Sequence, residues 1–426
     1  MSFVNLNDNN LQKRLSREFR FKVYCIMAMT FALGFVLFLF TSIFSTGYSA
    51  FYKTMIPIEI SLSSVVPDSN SFALMTNEEI NDLSIYSLSK KNIYNLFPNI
   101  TDRKEKKEIL KIFSYEFEDE IKNFLKDNKE NINDINIIYL TASDDIDQLH
   151  KGNFPRDIPE KRRRLSDLQL SFYDELILEN KIETEFNFPF FTRGDSREPE
   201  LAGIGGALAG SFFTIIVVLI LSLPFGLLAA IYLQEFAPQN KFTDFIEINI
   251  NNLAAVPSIV FGLLGLGILL NTFGMPRSTA LVGGVALSLM TLPTIIIATR
   301  AALRAVPPSI REAALAVGAT RMQAVMHHVV PVAMPGSLTG AIIGIAQALG
   351  ETAPLLLIGM VAFVVDVPST PVDPSASLPV QIYLWAESAE RGFVEKTSAT
   401  IMMLLGLLII LNLTAVIIRR KFETKW

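Results

Sequence analysis

Long charge-free runs constrain this chain more than any other feature. No charged residue occurs from Val23 to Tyr52, from Leu201 to Gln234 or from Thr397 to Ile418, and between Leu253 and Thr299 only Arg277 interrupts. A hydrocarbon layer of about 30 Å is crossed by about 20 apolar residues of helix, because the helix alone satisfies its backbone groups internally. The sequence therefore predicts an all-α polytopic membrane protein. Six transmembrane helices are expected, at about 22–46, 203–234, 253–272, 279–300, 335–362 and 398–419. The apolar region from Val23 is about twice the usual signal-peptide core and follows a long leader, so the first span reads as an uncleaved anchor. Cys25, the one cysteine of the chain, lies inside it, which leaves no disulfide framework.

Orientation follows from where Lys and Arg stand, and the net charge of −5 says little about it. Lys13, Arg14, Arg17, Arg20 and Lys22 precede the first span, and Arg419, Arg420, Lys421 and Lys425 follow the last. Both termini are then cytoplasmic, and six spans return them to the same side. The loop carrying Arg300, Arg304, Arg311 and Arg321 falls inside, and the acidic loop 363–397 outside. Residues 235–252 disagree, since Lys241 stands against Glu235, Asp244 and Glu247. Acidic residues weigh little in the rule, so the other loops decide.

Residues 53–199 have another composition, rich in Asn, Lys, Asp and Glu. Glu105 to Asn128 places Ile109, Ile112, Phe113, Phe117, Ile121 and Phe124 at helical spacing, which predicts one amphipathic helix. Asp134 to Ala142 reads as a buried strand. The expected organisation is a cytoplasmic leader (1–21), a first helix (22–46), a small inserted α/β extracytoplasmic domain (47–200) and a five-helix permease domain (201–426) with a cytoplasmic loop at 301–334. Acidic residues interleave the basic runs 103–107 and 161–164, so nucleic acid is not an expected partner.

The polar stretch between the fourth and fifth spans has its own logic. Pro307-Pro308 ends one helix and suits the first turn of the next. Ser309 to Val317 contains good helix formers, and Gly318 can supply a left-handed turn. A second short helix, Thr320 to Val329, is expected to run until Pro331. Ala313, Ala314 and Ala316 let a partner approach closely, while Arg311 and Glu312 offer directional charge contacts. Taken alone, this is either a docking knob or a connector. The spacing Glu312-Ala313-Ala314, then Gly318, then Pro331 resembles the EAA loop of bacterial ABC-importer permeases. That resemblance implies docking of an ATPase subunit on residues 309–331. His328 and Val330 stand where the family pattern has Ile and Leu, which touches the packing of the second helix.

Further motifs narrow the resemblance. Asn251 to Gly265, Met290 to Ile296, Gln347 to Pro354 and Leu378 to Tyr383 resemble phosphate-specific permeases of the PstA type. The similarity covers roughly 185–426. It implies a subunit of an ATP-driven importer of inorganic phosphate in a bacterial inner membrane, in contact with lipid. The implied partners are a second permease of the PstC type, two ATPase subunits carrying the ATP and magnesium, and a periplasmic phosphate-binding protein. A permease for another oxyanion such as sulfate, or a membrane sensor or scaffold working through the extracytoplasmic domain, are the alternatives.

Charged groups inside a bilayer are costly and usually functional. Glu351 stands between Gly350 and Pro354, and Pro354 cannot donate to the carbonyl of Gly350, so the fifth span is weakened there. Broken helices mark transport sites. A carboxylate repels an anion, so Glu351 is expected to position an arginine or hold a gate, or else to form a helix–helix salt bridge. Arg277 and Arg300 are anion contacts or snorkelling residues. Ser258 lines the path or caps a helix. Gly336, Gly340, Gly344 and Ala348, four residues apart, form a packing face for close helix contact, against a partner permease or the third or fourth span.

No Gly-x-x-x-x-Gly-Lys-Ser/Thr loop occurs, so no ATPase site and no cofactor are expected in this chain. His327 and His328 are neighbours on a helix and point about 100° apart, which disfavours a shared metal ion.

Overall fold

The computed structural model describes residues 9–61, 76–82, 85–127, 135–361 and 363–422. Part of the expected leader (1–8), Lys425, the ends of the predicted amphipathic helix and strand at Asn128 and Asp134, and position 362 of the predicted fifth span lie outside the described residues. The first helix, α1 (Asn9–Gly47), starts well before the predicted span, because the polar leader continues the same helix.

After a 3₁₀ turn (Tyr48–Phe51), the chain enters strand β1 (Tyr52–Ser61). The predicted helix over 105–128 is two helices, Arg103–Leu110 and α2 (Phe117–Asp127). The break lets Phe113 bridge to Ala142, and Ser114 N–H donates to Thr141 O at 2.9 Å. Tertiary pairing thus overrides a periodicity that runs straight through. β2 (Ile135–Thr141), α3 (Asp144–His150), α4 (Asp167–Leu178) and β3 (Glu183–Phe186) follow. The described strands form an antiparallel sheet of order β2-β1-β3. Ile56, Ile58 and Ile60 of β1 and Ile138 and Leu140 of β2 turn one face onto Ile109, Ile121, Leu125, Phe172 and Leu176 of the helices. This is a separate hydrophobic core, as the inserted segment requires.

The rest is a helical bundle. It comprises α5 (Gly205–Ile231), α6 (Lys241–Ala254), α7 (Ser258–Leu264), α8 (Ala280–Arg304), α9 (Pro308–Ala316), α10 (Arg321–Ala324), α11 (Val330–Gly350), α12 (Ala353–Leu357), α13 (Leu378–Ala386) and α14 (Gly392–Phe422). Among the described residues, five helices are long and apolar enough to cross a membrane, and a sixth crossing requires a bent pair. That pair corrects the straight third span. Lys241–Ala254 and Ser258–Leu270 meet at 103°, with Pro257 at the joint forcing the chain out of helix.

Two further corrections concern the fifth span. Pro331 does not stop the preceding helix: α10 passes through a π turn (Val325–Val329) into α11, and Val330 N–H bonds Val325 O. The wider turn gives the proline ring the room that a regular helix lacks. At the other end, α11 stops at Gly350 and not near 362, and α12 is a separate short helix. The loop expected at 363–397 also contains α13, whose Leu378, Pro379, Val380 and Gln381 are buried. Its first N–H donates to Ser211 Oγ of α5 at 2.8 Å.

The glycine face of α11 packs on α8 of the same chain. A Cβ on Gly336 would stand 2.6 Å from Ala302 Cβ, and one on Gly340 would overlap Ala298; Gly344 and buried Ala348 continue the stripe. The small residues therefore set the α8–α11 approach.

Candidate functional site: the loop between α8 and α11 and its clasp

The C-terminal end of α5 widens into a π turn, Tyr232–Phe236, closed by the Ala237 N–H bond to Tyr232 O before Pro238. α8 ends at Arg304, and Pro307 begins α9 as its N-cap. Gly318 closes α9 with φ +88°, the left-handed turn expected of it. These three stops place the loop against the π turn.

Arginines fasten it there. Arg311 donates from Nη2 and Nε to the two carboxylate oxygens of Glu235, at 2.6 and 3.1 Å. The same guanidinium donates to Leu303 O and Val306 O, both at 2.9 Å. These carbonyls belong to the C-terminal end of α8, where a cation is favoured by the helix dipole. A forked, charge-assisted contact of this kind is among the strongest polar contacts available. Arg321 donates to the backbone carbonyl of Glu235 and lies 5.6 Å over the Phe236 ring. Arg304 Nε donates to Gln234 Oε1 at 2.9 Å, and Arg300 pairs with Glu247 of α6.

The geometry changes the expectation for Arg311, which faces inward and half-buried where a solvent-facing contact was expected. Glu312, Ala313, Leu315, Ala316 and Val317 are exposed instead, and Ala314 is buried beneath them. Exposed Met322 of α10 adjoins the same loop. Pro331 is exposed in the first turn of α11. The acidic residues of 235–252 that disagreed with the charge topology are counter-charges, Glu235 to Arg311 and Glu247 to Arg300. Sequence reading missed them because the partners lie far apart in the chain. Their only signal was that disagreement.

Other predicted residues are scattered. Arg300 is buried but held by Glu247, and Arg277 is exposed in the turn before α8. Ser258 is half-buried in the first turn of α7 and makes no cap bond. Glu351 is the C-cap of α11, with φ −79° and ψ 124°, at the break anticipated from Pro354. It is half-buried, and among the described residues its carboxylate has no ion pair.

A second polar cluster joins the inserted domain to the N-terminal start of α14. Lys151 bonds Asp147 at 2.5 Å and Glu395 at 2.8 Å, and Ser49 Oγ donates to Glu395 at 2.6 Å. Lys396 Nζ donates to Ala202 O at 2.6 Å. Burial pushes Asp144 up to about 8 and Glu200 up to about 7, with neighbouring carboxylates adding to the effect. Burial opposes the charge on Lys151, but Asp147 and Glu395 outweigh it and hold its pKa above the usual lysine value.

Comparison with known proteins gives these features a family. Residues 222–425 match the model described as binding-protein-dependent transport system inner membrane component, and 8–160 match a domain of unknown function, DUF3333. The phosphate transport system permease protein PstA 1 of Mycobacterium tuberculosis is 32% identical over 228 residues, 53% of this chain and 74% of that protein. The chain belongs to the PstA-type ABC permeases. This PstA-type permease is also 35% identical over 173 residues to the probable ABC transporter permease protein YqgI of Bacillus subtilis, covering 41% of the chain and 58% of that relative. A solved inward-facing MetNI methionine ABC transporter is 20% identical, with 52% of this chain and 95% of that one covered, at a TM-score of 0.41. Family membership makes the permease an inner-membrane component of an ABC transport system.

Proposed function

We propose that this permease forms, with a second permease of the PstC type, the membrane path of an ATP-driven importer of inorganic phosphate. Two ATPase subunits holding ATP and magnesium would dock on residues 309–331, and a periplasmic phosphate-binding protein would deliver the ion. The termini would be cytoplasmic and the domain at 47–200 extracytoplasmic. The observation that carries this reading is the exposed face of α9. Small and apolar residues (Ala313, Leu315, Ala316, Val317) stand beside Glu312 on a loop held firmly from behind. A firm, shallow, mostly uncharged knob suits a groove on a partner. Phosphate as cargo is supported by the names of the PstA relatives. Glu351, uncompensated within the described chain, would meet an arginine of the second permease and act at a gate.

Co-purification tests the docking. Glu312→Lys or Gly318→Pro should leave the protein inserted and detach the ATPase subunits, and retained ATPase would refute the reading. Radiolabelled uptake in a deletion strain, phosphate against sulfate, tests the cargo. Glu351→Gln should lower uptake with the complex intact; wild-type uptake would make Glu351 structural only.

A further inference from the structure

We propose that Glu235 is a positioning residue that makes the coupling loop move as one body with the inner end of the second span. The inference rests on the docking reading and adds to it where the motion goes. Glu235 is only 7% exposed, so its carboxylate needs a partner, and Arg311 supplies both donors of its fork. Arginines from before, within and after α9 all end on the single turn 234–236: Arg304 on Gln234, Arg311 and Arg321 on Glu235, with Arg321 over Phe236. Arg311 also binds the last carbonyls of α8, so the loop, α5 and α8 meet at one guanidinium.

A loop tethered only by its two chain ends would absorb a push from a docked subunit by bending at Pro307 and Gly318. Here the arginines fasten the middle of the loop to α5, and the push passes to that helix. A π turn is suited to the role, because its widened backbone leaves the Glu235 carbonyl available to Arg321 while the side chain binds Arg311.

The test uses the assembled complex in proteoliposomes. Glu235→Gln keeps the shape and removes the charge. The complex should retain its ATPase subunits and ATP hydrolysis. Phosphate imported per ATP hydrolysed should fall about tenfold, the scale of one lost charge-assisted hydrogen bond. Amide exchange over 308–330 should quicken in the same sample. Arg311→Lys keeps the charge but loses the fork. It should shift both readouts in the same direction and by less, and it decides the matter if the Glu235→Gln permease does not fold and insert. Unchanged import per ATP together with unchanged exchange would overturn the proposal. So would loss of the ATPase subunits from Glu235→Gln, which would make the residue part of docking. Failure of the docking reading looks different: the ATPase then stays bound to Gly318→Pro.

Discussion

At the C-terminal end of α5, the Glu235 carboxylate is held by Arg311, whose guanidinium also donates to backbone carbonyls. At the N-terminal start of α14, Asp144, Asp147, Glu200 and Glu395 crowd around Lys151 and Lys396. The α5 clasp uses a planar fork that satisfies several acceptors at once. The α14 junction uses compact ammonium groups in a deeply buried, acid-rich setting. Glu395 and Lys396 are each 3% exposed, whereas the Arg311 side chain keeps 24%. The difference teaches that the two ends suit different tasks. A partly solvated clasp can be remade during a transport cycle, while a buried mixed-charge junction holds one arrangement and costs much to break.

The largest expected effect falls on the α14 junction. Lys151→Met leaves Asp147 and Glu395 buried without their cation, a loss of about 3–5 kcal/mol. It should appear as a sharp fall in the thermal midpoint of the purified complex. A midpoint near wild type would show the junction to be solvated and erase the contrast.

Next comes pH. Asp144 and Glu200 titrate at about 8 and about 7 in the folded protein, above their ordinary values of 3.8 and 4.5. The folded state therefore holds protons that the unfolded state has already released. Their contribution is fully present below about pH 4, and stability falls as pH rises towards and through 7–8. Between pH 6 and 9 the two groups together should lower the midpoint by the equivalent of roughly 4 kcal/mol, and Asp144→Asn should flatten the profile. A profile equally steep in Asp144→Asn would remove Asp144 from the account.

At the α5 clasp, Arg304→Ala removes the bond to Gln234 and should cost about 1 kcal/mol, read by the same thermal assay. The smallest effect is expected at a surface pair with neither device. Arg156 and Asp174 meet at 3.0 Å with about half of each side chain exposed, so Arg156→Ala should cost about 0.2–1 kcal/mol and vanish in high salt. A loss at Arg156 larger than at Arg304 would invert the proposed ordering.

Much of the architecture was legible because its causes are local. The charge-free runs from Leu201 and Thr397 mark α5 and α14 directly, since a bilayer reads composition along one segment. Pro307-Pro308 begin α9 and Gly318 closes it where expected, because both act on their own backbone angles. The break at Glu351 follows from Pro354 in the same way.

What tertiary structure decided is which distant groups meet. The spacing of Gly336, Gly340 and Gly344 announced a close contact, but only folding chose Ala298 and Ala302 of α8 as its other side. The spacing placed Arg311 in a polar loop where a solvent-facing contact was expected, yet its guanidinium turned inward because Glu235, 76 positions earlier, arrives beside it once α5 packs on α8. The pair Glu395-Lys396 carries no local signal of burial: Glu395 acquires Lys151 only when the inserted domain seats on α14, and Lys396 acquires the Ala202 carbonyl across the fold. Local sterics and solvent preference can be read one segment at a time. The pairing of charges across the fold depends on where packing brings their helices.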